Sequence, residues 1–213
     1  MSGKLKCKNF EVPTIELLIK VVNVTRDLKT YFPITHKPLV VINVGGSSKS
    51  IFLPKEKKIG MYEKIADALD QIDSNGVELI IQTMPPFPWH FGGQSYHNLF
   101  VDPAEILDFC EKTGYRICLD ISHSKMACTY FKWTLDDFLT SVSKYVAHLH
   151  ISDALGIDGE GIQIGEGDVD FSKLGKTLES LTPNIPFIPE IWQGHKQKGA
   201  GFWQGLEFLE NYL

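Results

Sequence analysis

Arginine is nearly missing from this chain. Of its 21 basic residues only Arg26 and Arg116 are arginine, and the formal charge is -5. A surface that grips a nucleic acid backbone usually carries a basic, arginine-bearing patch, so nucleic acid is not an expected partner. Long apolar runs are missing too, which removes any expectation of a bilayer-spanning helix. The cysteines Cys7, Cys110, Cys118 and Cys128 show no CxxC spacing, which argues against a zinc ribbon or a dithiol redox motif. The first residues lack the apolar stretch of a secretory leader. Together these point to a reducing, cytoplasmic setting. Lysines cluster at Lys4, Lys6 and Lys8 and again at 55–58, and both groups read as solvated.

What the chain does have is an alternation of two periodicities. At 213 residues and 43% hydrophobic, it can bury a substantial core as one domain spanning residues 1–213. Helical spacing of apolar residues runs over 13–32, 60–74 and 103–113, then over about 134–145, 171–181 and 202–212. Asp102, Pro103 and Glu105 form a capping-box signature, and Gly114 ends that helix. Between these stretches lie β-branched apolar runs at 37–46, 77–84, 115–121, 145–153 and 185–190, which read as buried parallel strands. Residues 47–58 read as a polar loop and 87–100 as a long aromatic loop. Residues 154–170 read as a glycine-rich loop. Strands alternating with helices imply parallel pairing with right-handed crossovers.

The strands end in polar residues: Asn43, Gln82, Asp120 with His123, His150 with Asp153, and Glu190. Parallel α/β folds place their chemistry at that end. Along 145–153, strand alternation puts Val146, His148 and His150 on one face. Two histidines on an apolar strand call for a partner or a metal. Asp, His, Glu and an amide oxygen form a hard N/O ligand set suited to Mn²⁺, Mg²⁺, Co²⁺ or Zn²⁺. His36, His90, His97 and His195 are lone loop histidines. Of these, His195 follows Glu190 closely enough to be of interest.

Four motifs carry a resemblance to a known superfamily. They are Cys118-Leu119-Asp120-Ile121-Ser122-His123, His148-Leu149-His150-Ile151-Ser152-Asp153, Ile164-Gly165-Glu166-Gly167-Asp168-Val169-Asp170-Phe171, and Ile188-Pro189-Glu190. The chain resembles the xylose isomerase-like TIM barrels, which include sugar and sugar-phosphate isomerases and epimerases and metal-dependent apurinic-site endonucleases. The resemblance runs from about residue 13 onward. It implies an α/β TIM-barrel-type parallel sheet. It also implies a divalent metal held by Asp120, His150 and Glu190, with Gln82 at a fourth ligand position.

By the same resemblance, Glu190 and His123 carry catalysis, as base and as substrate-oxygen contact. The substrate-facing set is His123, His148, Asp153 and Glu160, with Trp89 and His90 on a lid. The implied reaction is isomerisation or epimerisation of a sugar or sugar phosphate, with proton transfer through an enediolate that the metal stabilises. The implied partner is a small-molecule carbohydrate.

The chain departs from the family pattern in three places. Gln82 stands where the family usually has a glutamate, and an amide cannot exchange a proton at neutral pH. Asn43 stands where several members have histidine, and Gly159 and Gly161 lie where the nuclease branch has Asp-x-His. Finally, only five βα units are visible, matching the family's fourth to eighth strands, whereas a full barrel has eight. Either the chain is a fragment, or an abbreviated barrel covers its open edges with a second copy or a partner. The rival readings are a non-catalytic descendant that binds a ligand or partner and, more remotely, a phosphodiester hydrolase.

Overall fold

The computed structural model describes residues 11–32, 34–90 and 93–213. It opens with helix α1 (Glu11–Leu28), strand β1 (Leu39–Ile42), a two-residue strand β2 (Ser47–Ser48), helix α2 (Lys55–Asp70) and strand β3 (Glu78–Gln82). Three short strands follow, β4 (Trp89–His90), β5 (Gly93–Gln94) and β6 (Tyr96–His97), then helix α3 (Pro103–Thr113) and strand β7 (Arg116–Asp120). Helices α4 (Ile121–Phe131) and α5 (Leu135–Val142) precede strand β8 (Val146–Ile151) and the pair β9 (Asp153–Leu155) and β10 (Gly159–Ile162). Helix α6 (Phe171–Leu181), strand β11 (Phe187–Pro189) and helix α7 (Lys196–Leu209) complete the chain.

Five of these strands form one sheet in the order β1-β3-β7-β8-β11, and every neighbouring pair is parallel. The order follows the chain, as in a barrel wall built one βα unit at a time. The result is a curled half-barrel with alternating helices, an incomplete TIM barrel. Its outer face carries Leu79, Ile81, Ile117, Leu119, Leu149 and Ile151, which pack into the main core with Phe109, Phe138 and Leu174 from the helices. Its inner face carries Ile80 and Cys118, which with Ala147, Leu39 and Val41 make a smaller apolar cluster. Between β7 and β8 the register shifts, so that Ile117 faces Val146 but Cys118 faces His148. This bulge brings His150 opposite Asp120.

Several boundaries differ from the sequence expectation, each for a physical reason. Helix α2 begins at Lys55, inside the segment read as loop, because Pro54 supplies an extended entry (φ -66°, ψ 155°) and the lysines after it extend the helix. Helix α4 was not expected at all. It follows β7 without a Gly or Pro break, and it buries Ser122 and Ser124 beside Ile121, Met126 and Cys128, so no apolar stripe marks it. The aromatic loop contains the β4–β5 hairpin, and its β6 pairs with β2. The glycine-rich loop begins with the antiparallel pair β9–β10. In the capping box, Asp102 accepts from the Ala104 N–H as expected, but Glu105 turns away to pair with Lys58. Among the described residues Cys110, Cys118 and Cys128 are free and buried, and burial pushes the Cys110 and Cys128 thiols up to about 12. Cys7 and the lysines at 4, 6 and 8 lie outside the described residues. No described helix is long and apolar enough to cross a membrane.

Candidate metal centre

The C-terminal ends of β3, β7, β8 and β11 bring four polar side chains together on the inner face. Gln82 closes β3, Asp120 closes β7, His150 lies in the last turn of β8, and Glu190 follows β11, its N–H bonded to the Ile151 carbonyl at 3.0 Å. Asp120, His150 and Glu190 each offer one ligand atom, and these atoms lie within 4.8 Å of one another. His150 Nδ1 is 2.5 Å from Glu190 Oε2 and 4.0 Å from Asp120 Oδ2. The Gln82 amide nitrogen contacts all three: Asp120 Oδ2 at 2.8 Å, His150 Nδ1 at 3.1 Å and Glu190 Oε2 at 3.3 Å.

Asp120 has two jobs. Its Oδ1 accepts from the His123 N–H at 2.9 Å and so caps helix α4. Its Oδ2 faces the cluster. The turn is braced by Thr83, whose hydroxyl accepts from the Asp120 N–H at 2.9 Å, and by Ser124, which donates to the Asp120 carbonyl at 2.7 Å. The cap also fixes His123 one turn into α4. His123 Nδ1 lies 2.8 Å from the Thr83 carbonyl. That contact requires a proton on Nδ1, which leaves Nε2 to face Glu160 Oε2 at 3.5 Å.

Electrostatics follow from burial. Desolvation raises the Asp120 carboxyl to about 6, with Glu190 adding to the rise while His123 and His150 oppose it. Burial also works to raise Glu190, but its contact with His150 outweighs it and holds that carboxyl below its ordinary value. For His123, burial lowers the pKa, but the Asp120 carboxylate, Glu160 and the Thr83 carbonyl overcome it and raise the group to about 9. The cluster therefore concentrates negative charge around one point, with a protonated imidazole beside it.

A cleft of about 530 Å³ opens over this cluster, lined by Asp120, His123, Glu160 and Glu190. Glu160 reaches it on strand β10, held from both sides. The Gly161 N–H donates to Ser122 Oγ at 3.1 Å, and the Trp192 N–H donates to the Gly161 carbonyl at 2.8 Å. Gly161 has φ +66°, and a Cβ there would meet Trp192 N at 3.3 Å, so glycine suits the position twice over.

Other residues of the expected site lie elsewhere. Asp153 is fully buried. Its carboxylate accepts four backbone N–H groups, from Ala154, Gly165, Gly167 and Val169, at 2.8–3.1 Å. Those bonds tie down the 164–170 loop, so Asp153 orders the loop instead of facing the cleft. His148 sits one pleat below His150, ring centroids 5.4 Å apart and edge to face. Burial and the neighbouring His150 lower its pKa, so it is a neutral ring on the inner wall and not part of the cleft lining. The side chains of Trp89 and His90 lie outside the described residues. Asn43 is exposed and is not among the residues that line the cleft. The cleft lining also includes Ser152, Trp192, Gln193, His195 and Lys196. Of these only His195 had a sequence signal, its nearness to Glu190. The others follow strand tips by one to seven residues, a position that carries no periodicity.

The sequence profile of the xylose isomerase-like TIM barrel family matches residues 15–212. The chain belongs to this family. A curated relative, an uncharacterized protein of Methanocaldococcus jannaschii, is 28% identical over 128 residues, 59% of this chain and 45% of that protein. The match therefore spans less than half of that relative. Among solved structures the chain is similar to a D-tagatose 3-epimerase-like protein (TM-score 0.62, 18% identity, 93% of this chain and 70% of that one). It is also similar to a xylose isomerase domain protein from Planctomyces limnophilus (TM-score 0.65, 15% identity, 94% and 64%). A third is D-psicose 3-epimerase from Clostridium cellulolyticum H10 (TM-score 0.64, 12% identity, 100% and 73%). At these identities the likeness is one of fold. Each of these structures extends beyond the five βα units described above.

The donor set fits a divalent cation. Two carboxylates balance its charge, the imidazole supplies a nitrogen, and a half-turn of the Gln82 amide presents Oε1 in place of the NH₂ group. Which way that amide points is set by its neighbours. Beside bare carboxylates the NH₂ group faces in, and beside a cation the oxygen does.

Proposed function

We propose that the chain is a divalent-metal-dependent sugar isomerase or epimerase-like protein acting on a small carbohydrate. The convergence of Asp120, His150 and Glu190 at the strand tips carries this reading. Gln82, Asp120, His150 and Glu190 would hold the cation. When bound, such an ion withdraws electrons from adjacent carbonyl and hydroxyl oxygens of the sugar and so acidifies the neighbouring C–H. Glu190, half-exposed to the cleft, takes that proton from one carbon and returns it to the adjacent carbon of the enediolate, which interconverts aldose and ketose. His123, fixed by Thr83 and Asp120, donates from Nε2 to a substrate oxygen, and Glu160 closes that side. Gln82 orients and ligates but moves no proton.

The position of the Gln82 NH₂ group favours a second reading. It contacts all three ligand atoms and partly satisfies them without a metal, as expected of a descendant that binds sugar without turnover. One experiment separates the two. The chain is incubated in D₂O with Mn²⁺ or Co²⁺ and a panel of aldoses and ketoses, and deuterium at carbon is followed by NMR. Exchange that disappears in Glu190→Gln supports the enzyme. Sugar binding without exchange in any member of the panel supports the descendant.

A further inference from the structure

One wall of the cleft is the segment after Glu190, and it carries charge of the opposite sign to the cluster. Lys196 lines the cleft, exposed, with its Nζ donating to the Gln193 side-chain oxygen at 2.8 Å. Among the described residues it forms no ion pair, although three carboxylates line the same cleft. Gln193 takes a left-handed backbone (φ 61°), an uncommon conformation for a non-glycine residue, and its side chain steadies the ammonium. Next to it Trp192 is 77% exposed, a large apolar face left open to solvent while its N–H is bound to Gly161. Ser152 also lines the cleft. It is only 2% exposed, and its hydroxyl has no hydrogen-bond partner among the described residues. The cluster residues are already engaged with one another. Outside the cluster the cleft lining therefore offers an ammonium that no carboxylate pairs, a hydroxyl, an indole face and the His195 ring.

We infer that the cleft takes an anionic monosaccharide, a sugar phosphate or a sugar acid, with its charged group at Lys196. Its hydroxyls face Ser152 and the Asp120–Glu190 cluster, and Trp192 packs on its apolar C–H face. This rests on the carbohydrate reading above and adds the charge of the substrate. The scarcity of arginine, which favours a neutral sugar on composition alone, is offset by this lysine, which lines the cleft without an ion pair.

The test is isothermal titration calorimetry of the chain with D-ribose 5-phosphate, D-gluconate, D-ribose and inorganic phosphate. An ion pair at a partly exposed site should make at least one anionic sugar bind about fivefold tighter than D-ribose. Lys196→Ala should erase that difference and Lys196→Arg should keep it. Comparison of the phosphate ester with gluconate tells which anion is meant. Equal affinity for D-ribose, a preference that survives Lys196→Ala, inorganic phosphate binding as tightly as the sugar phosphate, or no binding by either anionic sugar would each overturn the inference. Failure of the isomerase reading has a different signature. The anion preference stands, but no carbon-bound hydrogen exchanges with solvent.

Discussion

At the scale of the residue, Gln82 decides most. Gln82→Glu would place a third carboxylate within contact of Asp120 and Glu190. The variant should bind Mn²⁺ or Co²⁺ at least about tenfold tighter and, stripped of metal, should be less stable by about 2 kcal/mol from an uncompensated buried charge. Metal titration and chemical denaturation in chelator read the two effects separately. Asp120 is tested by a pair of changes. Asp120→Asn keeps an oxygen for the His123 N–H and should cost metal binding while leaving α4 in place. Asp120→Ala should lose the cap as well, at a further cost of about 1 kcal/mol. His123 sets a pH dependence. Its pKa is raised from 6.5 to about 9 in the folded chain. The folded state therefore holds a proton that the unfolded state has released between those values. That stabilisation is complete below pH 6.5 and lost as pH rises through 9, so the melting temperature of metal-free protein should fall across this window. His123→Gln should flatten the fall. The convergence of Gln82, Asp120, His150 and Glu190 was legible in the sequence because strand alternation and strand-end position single them out. The contacts of Thr83 and Ser122 were not, because a hydroxyl one or two residues past a strand looks like any other.

At the scale of the element, the loop after β8 is the informative case. The sequence shows Asp153 at a strand tip, where a catalytic carboxylate would also sit. The structure surrounds it with four N–H donors from a loop that only closes in three dimensions. A charge-assisted bond contributes more than a neutral one. Asp153→Asn, which replaces an acceptor-only group by one that is half donor, should therefore destabilise the chain by about 3 kcal/mol in a denaturant melt. Gly167→Ala should act on the same loop, since its Cβ would meet the Ala154 carbonyl at 2.4 Å and Asp153 Oδ1 at 2.5 Å. The helices of the outer layer were readable wherever one face is apolar and the other wet, as in α3, α5 and α6. Helix α4 escaped because it is buried on nearly every side and starts directly from a strand. Hairpin β9–β10 escaped because its glycines read as loop, although they bring its backbone close to Leu155 and Trp192.

At the scale of the molecule, the parallel order of five strands was predictable from the alternation of periods, and the structure bears it out. The sheet ends at β1 and β11, and its inner face leaves Ile188 44% exposed and Val41 half-buried. Unpaired edges and apolar inner walls favour association. The chain should sediment as a concentration-dependent oligomer, and Val41→Lys with Ile188→Lys should shift it toward the monomer. A chain that stays monomeric at high concentration would show that the half-barrel tolerates its open edges. Whether the strand tips hold a metal is read by metal analysis of protein purified without added metal, beside an Asp120→Ala/Glu190→Ala double variant. About one equivalent of Mn, Co, Zn or Mg in the parent, lost in the variant, is the expected result. No metal in either, even after soaking at millimolar concentration, would contradict it.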